Sequence, residues 1–390
     1  MAISRKMAEF AERSSWIRRM FEEGARLKAR YGEDEVCDFS LGNPDLPPPP
    51  RFAEVLTRLA TAGQAGGHGY MPNGGYPEVR AAVAAQLSRE QESALSAEEV
   101  LMTVGAAGGL NVALKALLDP GDEVLILAPY FVEYHFYIDN HGGIARVVET
   151  GEDFGPDPAA VAAAITPRTK AIIINSPNNP TGRIYTAAEL RELVEVLEQA
   201  PQTIYLLADE PYRKITFDDH QVPAILPLYR HSMVISSYSK DLSLAGERIG
   251  YLAVNPAIAD KPALLAALTL ANRILGYVNA PALLQKVVAE LQGVTVDVGV
   301  YRRRRELFCR LLAEAGYHFT PPMGAFYLFP QSPLADDSEF VRLLAAERIL
   351  AVPGRGFGRP GYFRLSFCVA DEVISRAATG FQAAMRKARP

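Results

Sequence analysis

The sequence predicts an α/β chain: a mostly parallel, doubly wound sheet of about seven strands, with a second, smaller α+β domain. Three observations carry this expectation. Short apolar, β-rich runs recur between Val100 and Val254, and strands that are hydrophobic throughout belong to a sheet covered on both faces. Helix-like patterns such as AAGGLNVALKALL and TAAELRELVEVLEQA fill most of the intervals, as parallel crossovers require. At 390 residues the chain is too long for one compact core, so about two or three domains are expected.

The elements follow in order. MAEFAERSSWIRRMFEEGARLKARYG alternates acids and bases and reads as an amphipathic helix, with no apolar signal core. In CDFSLGNPDLPPPP, Gly42, Pro44 and the run of prolines enforce an extended, irregular segment. GQAGGHGYMPNGGY is a second loop-forming block. The strand candidates are EVLMTV, EVLILA, IARVVE, AIIINS, TIYLLAD, MVISS and IGYLAV. From about residue 280, two long helical patterns run through Ala315. The strand-like AFYLFP and YFRLSF come next, before a closing helix, DEVISRAATGFQAAMRKA. A large domain over 46–280 is therefore expected, with a discontinuous small domain from 1–45 and 281–390.

Bulk properties exclude several classes. A net charge of -5 and a pI of about 5.8 argue against nucleic acid, whose phosphates need a basic face. The apolar stretch ALLAALTLA is bounded by Lys261 and Arg273, far short of a membrane span. The three cysteines, Cys37, Cys309 and Cys368, form no C-x-x-C pair, and no H-E-x-x-H occurs, so neither a disulfide framework nor a metal site is indicated. A reducing, cytoplasmic setting is expected.

Three local patterns are decoys. SYSK fits the S-x-x-K of serine acyl enzymes, with Ser237 as nucleophile and Lys240 as base, but its companions S-D-N and K-T-G are absent. GFGRPG (356–361) is formally G-x-G-x-x-G, yet it leads into a strand-like run rather than a helix. The basic run at 302–305 lies in a helical pattern and reads as a solvated face or subunit contact.

In open α/β sheets, ligands sit beyond the carboxyl ends of the strands. VGAAGG, APYF, NSPNNPTG, ADEPY and SSYSK each follow one of the strand candidates. A lysine amine, an aspartate, a tyrosine, an asparagine and an arginine on one edge suit a ligand with an aldehyde, a pyridine ring and a phosphate. NSPNNPTG, ADEPY and SYSKDLSLAGERIGY resemble the signatures of fold-type I pyridoxal-phosphate enzymes. More narrowly, they resemble the class I/II aminotransferases of the aspartate aminotransferase-like family. The resemblance runs from SLGNPD to YFRLSF.

That resemblance implies a role for each matching residue. Lys240 would form the Schiff base with pyridoxal 5'-phosphate and then carry a proton, which requires a depressed pKa. Asp209 would face the pyridine nitrogen and keep it protonated; a helix cap is the bland alternative. Tyr212 and Asn179 would donate to the ring hydroxyl oxygen, and Phe131 would stack on the ring where relatives commonly have Trp. Ser237, Arg248 and the helix start at Ala106 and Ala107 would hold the phosphate. Relatives often have Ser, Thr or Lys near those alanines; here only backbone donors remain. Tyr70 would reach the phosphate of a neighbouring subunit, so a homodimer with shared active sites is implied. Arg364 would grip the substrate α-carboxylate, assisted by the Gly42 amide.

The implied activity is transfer of an amino group from an L-amino acid to a 2-oxo acid. One alternative on the same scaffold is β-elimination from cysteine conjugates, which releases ammonia and pyruvate without an acceptor. Another is a non-catalytic binding protein of this fold, disfavoured by the intact Lys240, Asp209 and Arg248. No side-chain contact for the substrate can be placed; Arg273 is only a weak candidate.

Overall fold

The structure, a computed structural model, describes residues 3–13, 15–63 and 67–388. The expected amino-terminal helix is two helices, Arg5–Arg13 and Ser15–Tyr31; its residue 14, and residues 64–66 of the expected glycine-rich loop, lie outside the described residues.

The strands are β1 (Cys37–Asp38), β2 (Val100–Thr103), β3 (Glu123–Ala128), β4 (Ile144–Glu149), β5 (Thr169–Asn175), β6 (Tyr205–Asp209), β7 (Ser232–Ser237), β8 (Gly250–Val254), β9 (Tyr327–Leu328), β10 (Ile349–Leu350), β11 (Val352–Pro353) and β12 (Phe363–Ser366). β2 to β8 are the seven runs seen in sequence, and they form one sheet in the order β2-β8-β7-β6-β5-β3-β4. Its members pair in parallel except β8, which is antiparallel to both β7 and β2.

Alternation sorts the sheet's side chains onto two faces. Val124, Ile126, Ala171 and Ile173 pack with the helices Gly105–Leu117 and Lys261–Ile274. Leu125, Leu127, Ile172 and Ile174 pack on the other side with Ala187–Glu198. That last helix begins with a capping box, in which the Thr186 hydroxyl accepts from the Glu189 amide and the Glu189 carboxylate accepts from the Thr186 amide. β3, β7 and β8 are buried along their whole length. β4 departs from the expected apolar run: it is the edge strand, and of its residues only Val148 is buried.

A second core lies elsewhere. β9, β11 and β12 form an antiparallel sheet, and β1 pairs with β10. Phe308 and Phe340, from the helices Val298–Glu314 and Asp337–Ala346, meet Phe39, Phe326, Phe363 and Phe381 there. Ala280, Val287, Val288 and Leu291 pack with the first lobe's helices Pro50–Thr61 and Pro77–Glu90; the second core takes over at Val296. The closing helix is interrupted at Ala377, giving Asp371–Arg376 and Ala378–Ala388.

The basic run corrects a sequence expectation. Arg304 and Arg305 are buried, not solvated. Arg304 bonds Asp45 and Asp371, and Arg305 bonds Asp218 while lying over the Phe217 ring. Carboxylates from distant segments neutralise both guanidiniums, a pairing invisible to local pattern. GFGRPG, by contrast, is the expected loop, opening with a short turn (Gly354–Phe357) before β12.

Candidate active site

The carboxyl ends of β3, β5, β6 and β7 converge on one cavity of about 390 Å³. It lies where the strand order reverses between β3 and β5, the usual ligand crevice of such sheets. Gly42, Ala106, Ala107, Phe131, Asn179, Asp209, Tyr212, Ser237, Lys240, Arg248 and Arg364 all line it. Tyr70 does not; it is 93% exposed on the same chain.

Asp209 ends β6 and is buried. The Tyr134 hydroxyl donates to its Oδ2 at 2.6 Å, while Oδ1 has no partner. Burial pushes this carboxyl up to about 7, against the lowering effect of Tyr134; nearby Glu210 adds to the rise. A desolvated carboxylate with one free oxygen calls for a cationic N–H partner in the cavity. On the neighbouring strand, Asn175 donates to the Asp209 carbonyl at 2.8 Å and accepts the Asn179 amide at 2.7 Å.

Lys240 follows β7 on a loop of small residues. Its Nζ donates to the Gly42 carbonyl at 2.8 Å and lies 5.4 Å from the Phe326 ring centre. Burial pulls the amine down to about 8; Cys368 opposes this, and the Arg364 and Arg248 charges reinforce it. A neutral, nucleophilic amine is thus within reach near neutral pH.

The residues next to Asp209 and Lys240 in sequence, Glu210 and Asp241, are also buried acids. Glu210 accepts from Arg213 and Gln91, both at 2.9 Å, and Asp241 accepts from Lys214 at 3.0 Å. These pairs tie down the β6 and β7 loops from behind the cavity.

At the other end, Gly105 opens the helix Gly105–Leu117 with φ of 77°, and a Cβ there would sit 2.7 Å from Arg248 Nη2. Only glycine lets the guanidinium approach the exposed amides of the helix start. Helix dipole and Arg248 together form an anion cradle, with Ser237 and Ser239 on its rim.

Arg364, buried on β12, donates to Asn179 Oδ1 at 2.9 Å and to the Ser40 carbonyl at 2.7 Å, leaving Nε unpartnered. Its guanidinium lies 4.7 Å from both the Tyr327 and Phe357 ring centres. Asn179 spends its carbonyl end on Arg364, so its amide end remains as a donor. The Tyr212 and Tyr327 hydroxyls are 2.9 Å apart. The loop carrying Ser40 and Gly42 is held by Asp38, whose Oδ1 accepts the Ser40 hydroxyl at 2.6 Å and whose Oδ2 pairs with Lys28 at 2.8 Å. Gly42 has to be glycine, since a Cβ would collide with the Tyr327 hydroxyl.

Sequence reasoning missed Tyr134, Tyr327, Phe357, Ser239 and Asp38. The first sits three residues after Phe131, a spacing that faces it inward on a helical turn. Ser239 and Phe357 lie inside SYSK and GFGRPG, patterns that assigned them no role, and Tyr327 and Asp38 lie in segments with no functional pattern.

This donor set fits a phosphorylated pyridine aldehyde: an amine, an orphaned buried carboxylate and an anion cradle in one cavity. A family profile described as aminotransferase class I and II matches residues 34–381. A probable aspartate/prephenate aminotransferase from Thermus aquaticus is 36% identical over 370 residues, covering 92% of this chain and 93% of that protein. An aspartate aminotransferase from Thermotoga maritima is 32% identical over 387 residues, covering 96% and 97%. Among solved structures, an amino transferase from Eubacterium rectale superposes with a TM-score of 0.95 at 38% identity, covering 100% of both chains. The Thermotoga maritima aspartate aminotransferase superposes with a TM-score of 0.86 at 30% identity, covering 97% and 99%.

Proposed function

The chain belongs to the class I and II aminotransferases, pyridoxal-phosphate enzymes of fold type I, and from that premise we propose how its own residues divide the work. The observation that carries the reading is the meeting of Lys240, Asp209, Arg248 and Arg364 in one cavity. When bound, pyridoxal phosphate supplies an aldehyde carbon for the amino group and a ring that accepts the electron pair left when the Cα proton departs.

Arg248, Ser237 and the amides at Ala106 and Ala107 hold the phosphate. Asp209 keeps the pyridine nitrogen protonated through its free Oδ1. Tyr212 and the Asn179 amide donate to the ring hydroxyl oxygen, and Phe131 covers the ring face. Arg364 binds the α-carboxylate with the Gly42 amide, orienting the Cα proton toward Lys240. The Lys240 amine would take that proton from Cα onto Nζ, a base role suited to a pKa near 8.

The smaller lobe (1–45 and 281–390 in the division expected from sequence) brings Arg364 and Gly42 to this cavity, so substrate binding draws the lobes together. Tyr70, exposed on its own chain, reaches the phosphate of a second copy in a homodimer. The cysteines are free, and a cytoplasmic location is proposed on that usage. Among the described residues no helix is long and apolar enough to cross a membrane.

The test is a half-reaction. Mixing holoenzyme with an L-amino acid and no acceptor should convert the yellow cofactor to its colourless amine form and yield one equivalent of oxo acid. Adding a 2-oxo acid should restore the colour. Release of ammonia and pyruvate from a cysteine conjugate, with no colour change by plain amino acids, would instead mark an eliminating enzyme.

Tyr134→Phe is expected to loosen the cofactor roughly 10-fold or more, since it removes a hydrogen bond to a charged carboxylate, a class worth about 1.5–3 kcal/mol. Equilibrium dialysis of the cofactor measures this. Retention equal to wild type would remove Tyr134 from the cofactor's support.

A further inference from the structure

The cavity holds more wall than cofactor and carboxylate need, and the surplus is apolar. Beside Arg364 the wall is Leu41, Val132, Val352 and Phe357. Val352 is the direct partner of Arg364 across β11 and β12, and Phe357 lies against the guanidinium. A substrate whose carboxylate meets Arg364 must therefore direct its side chain along these groups.

Behind them stands a small aromatic cluster. Val352 and Phe357 pack with Phe154 and Phe329, with Val132 and Tyr362 at its margin. Phe329 stacks on Tyr362 at 5.2 Å. Backed in this way, the wall cannot rotate to present a polar group. Leu41 is 41% exposed on the cavity rim, an apolar side chain without full cover.

Among the described residues of this chain, no cation is left in the cavity lining for a second carboxylate. Lys240, Arg248 and Arg364 are the cationic residues lining the cavity, and each already has a role. The basic residues nearest the apolar wall in sequence are engaged elsewhere: Arg355 bonds Asp337, and Arg359 bonds Glu149 at 2.7 Å. The remaining charged lining residues are acids: Asp209, whose role is already given, and Glu133, whose carboxyl burial pushes up. A second substrate carboxylate would enter unpaired, facing hydrocarbon and like charge.

We propose that Leu41, Val132, Val352 and Phe357 form a side-chain subsite for apolar and aromatic L-amino acids, and that the dicarboxylic amino acids are poor donors here. This rests on the aminotransferase assignment of the residues above and adds the substrate class. It sets the chain apart from the aspartate aminotransferases to which it is similar.

The experiment is a single-turnover comparison on wild-type holoenzyme without acceptor, following the cofactor's colour with L-leucine, L-methionine, L-phenylalanine and L-aspartate. The neutral donors should exceed aspartate in kcat/KM by at least about 10²-fold, since an unsatisfied buried polar group costs about 1–3 kcal/mol and a charged one more, at about 1.4 kcal/mol per tenfold. Aspartate reacting as well as any neutral donor overturns the subsite, including the case of a cation supplied by a second copy. No donor changing the colour would sink the underlying assignment of the site instead, so the two failures are distinct. A second arm uses Leu41→Arg, tolerable at a half-exposed position. It should raise the aspartate-to-leucine ratio of kcat/KM about 10-fold or more, and an unchanged ratio counts against a side-chain path along Leu41.

Discussion

Replacing Lys240 with alanine should abolish amino-group transfer. The loss is expected to reach about four orders of magnitude or more, because general acid–base catalysis alone contributes ~10²–10⁴-fold and the variant also loses its covalent anchor. The fold should survive. The side chain makes a single hydrogen bond, to the Gly42 carbonyl, and the buried acids behind it keep their own partners, Arg213 and Lys214. A melting temperature within about 2–4 °C of wild type, the shift for roughly 1 kcal/mol in a domain of about 150–250 residues, would separate lost chemistry from lost structure.

The same residue makes a pH prediction whose sign follows from burial. A buried amine disfavours its ammonium form, so the neutral nucleophile gains over a normal lysine. Cofactor uptake by the apoenzyme should therefore rise with pH through about 8, not near the ordinary 10.5. Borohydride should then fix the cofactor at Nζ of position 240. Residual turnover of Lys240→Ala within tenfold of wild type would refute the assignment outright.

Much of this site could be read without coordinates, for a physical reason. In a parallel sheet each functional loop follows its own strand, so the residues stay local and ordered: Asp209 ends β6, and Lys240 follows β7 by three residues. Most strands are equally legible because their hydrophobic runs are continuous; β4, at the sheet edge, is the exception, interrupted by Arg146 and largely exposed. What stayed hidden is what depends on distance along the chain. Tyr134 bonds Asp209 across 75 positions and Arg305 bonds Asp218 across 87. Both links arise only once crossovers have stacked their elements. The apolar subsite is hidden for the same reason, since Leu41, Val132 and Phe357 come from three separate segments. Asp38 shows the limit most sharply. It sits on a two-residue strand, yet through Ser40 it braces the carbonyl that orients Arg364.

Arg364→Ala should raise KM for every amino donor on the order of 10²–10⁴-fold, while the cofactor stays bound and its colour unchanged. The guanidinium is pre-positioned before any substrate arrives. Asn179 and Ser40 hold one donor each, and the Tyr327 and Phe357 rings lie against the guanidinium. Nε is left buried without a partner, a cost that an incoming carboxylate relieves. Two charge-assisted bonds of about 1.5–3 kcal/mol each give the stated range at about 1.4 kcal/mol per tenfold. Arg364→Lys separates charge from geometry: an ammonium keeps the sign but lacks the planar fork, so it should recover only part of the loss. A loss that falls on cofactor retention instead of KM would place Arg364 in the scaffold. A KM equal to wild type in the alanine variant would require the carboxylate to bind elsewhere, and the apolar wall beside Arg364 would then face no substrate side chain.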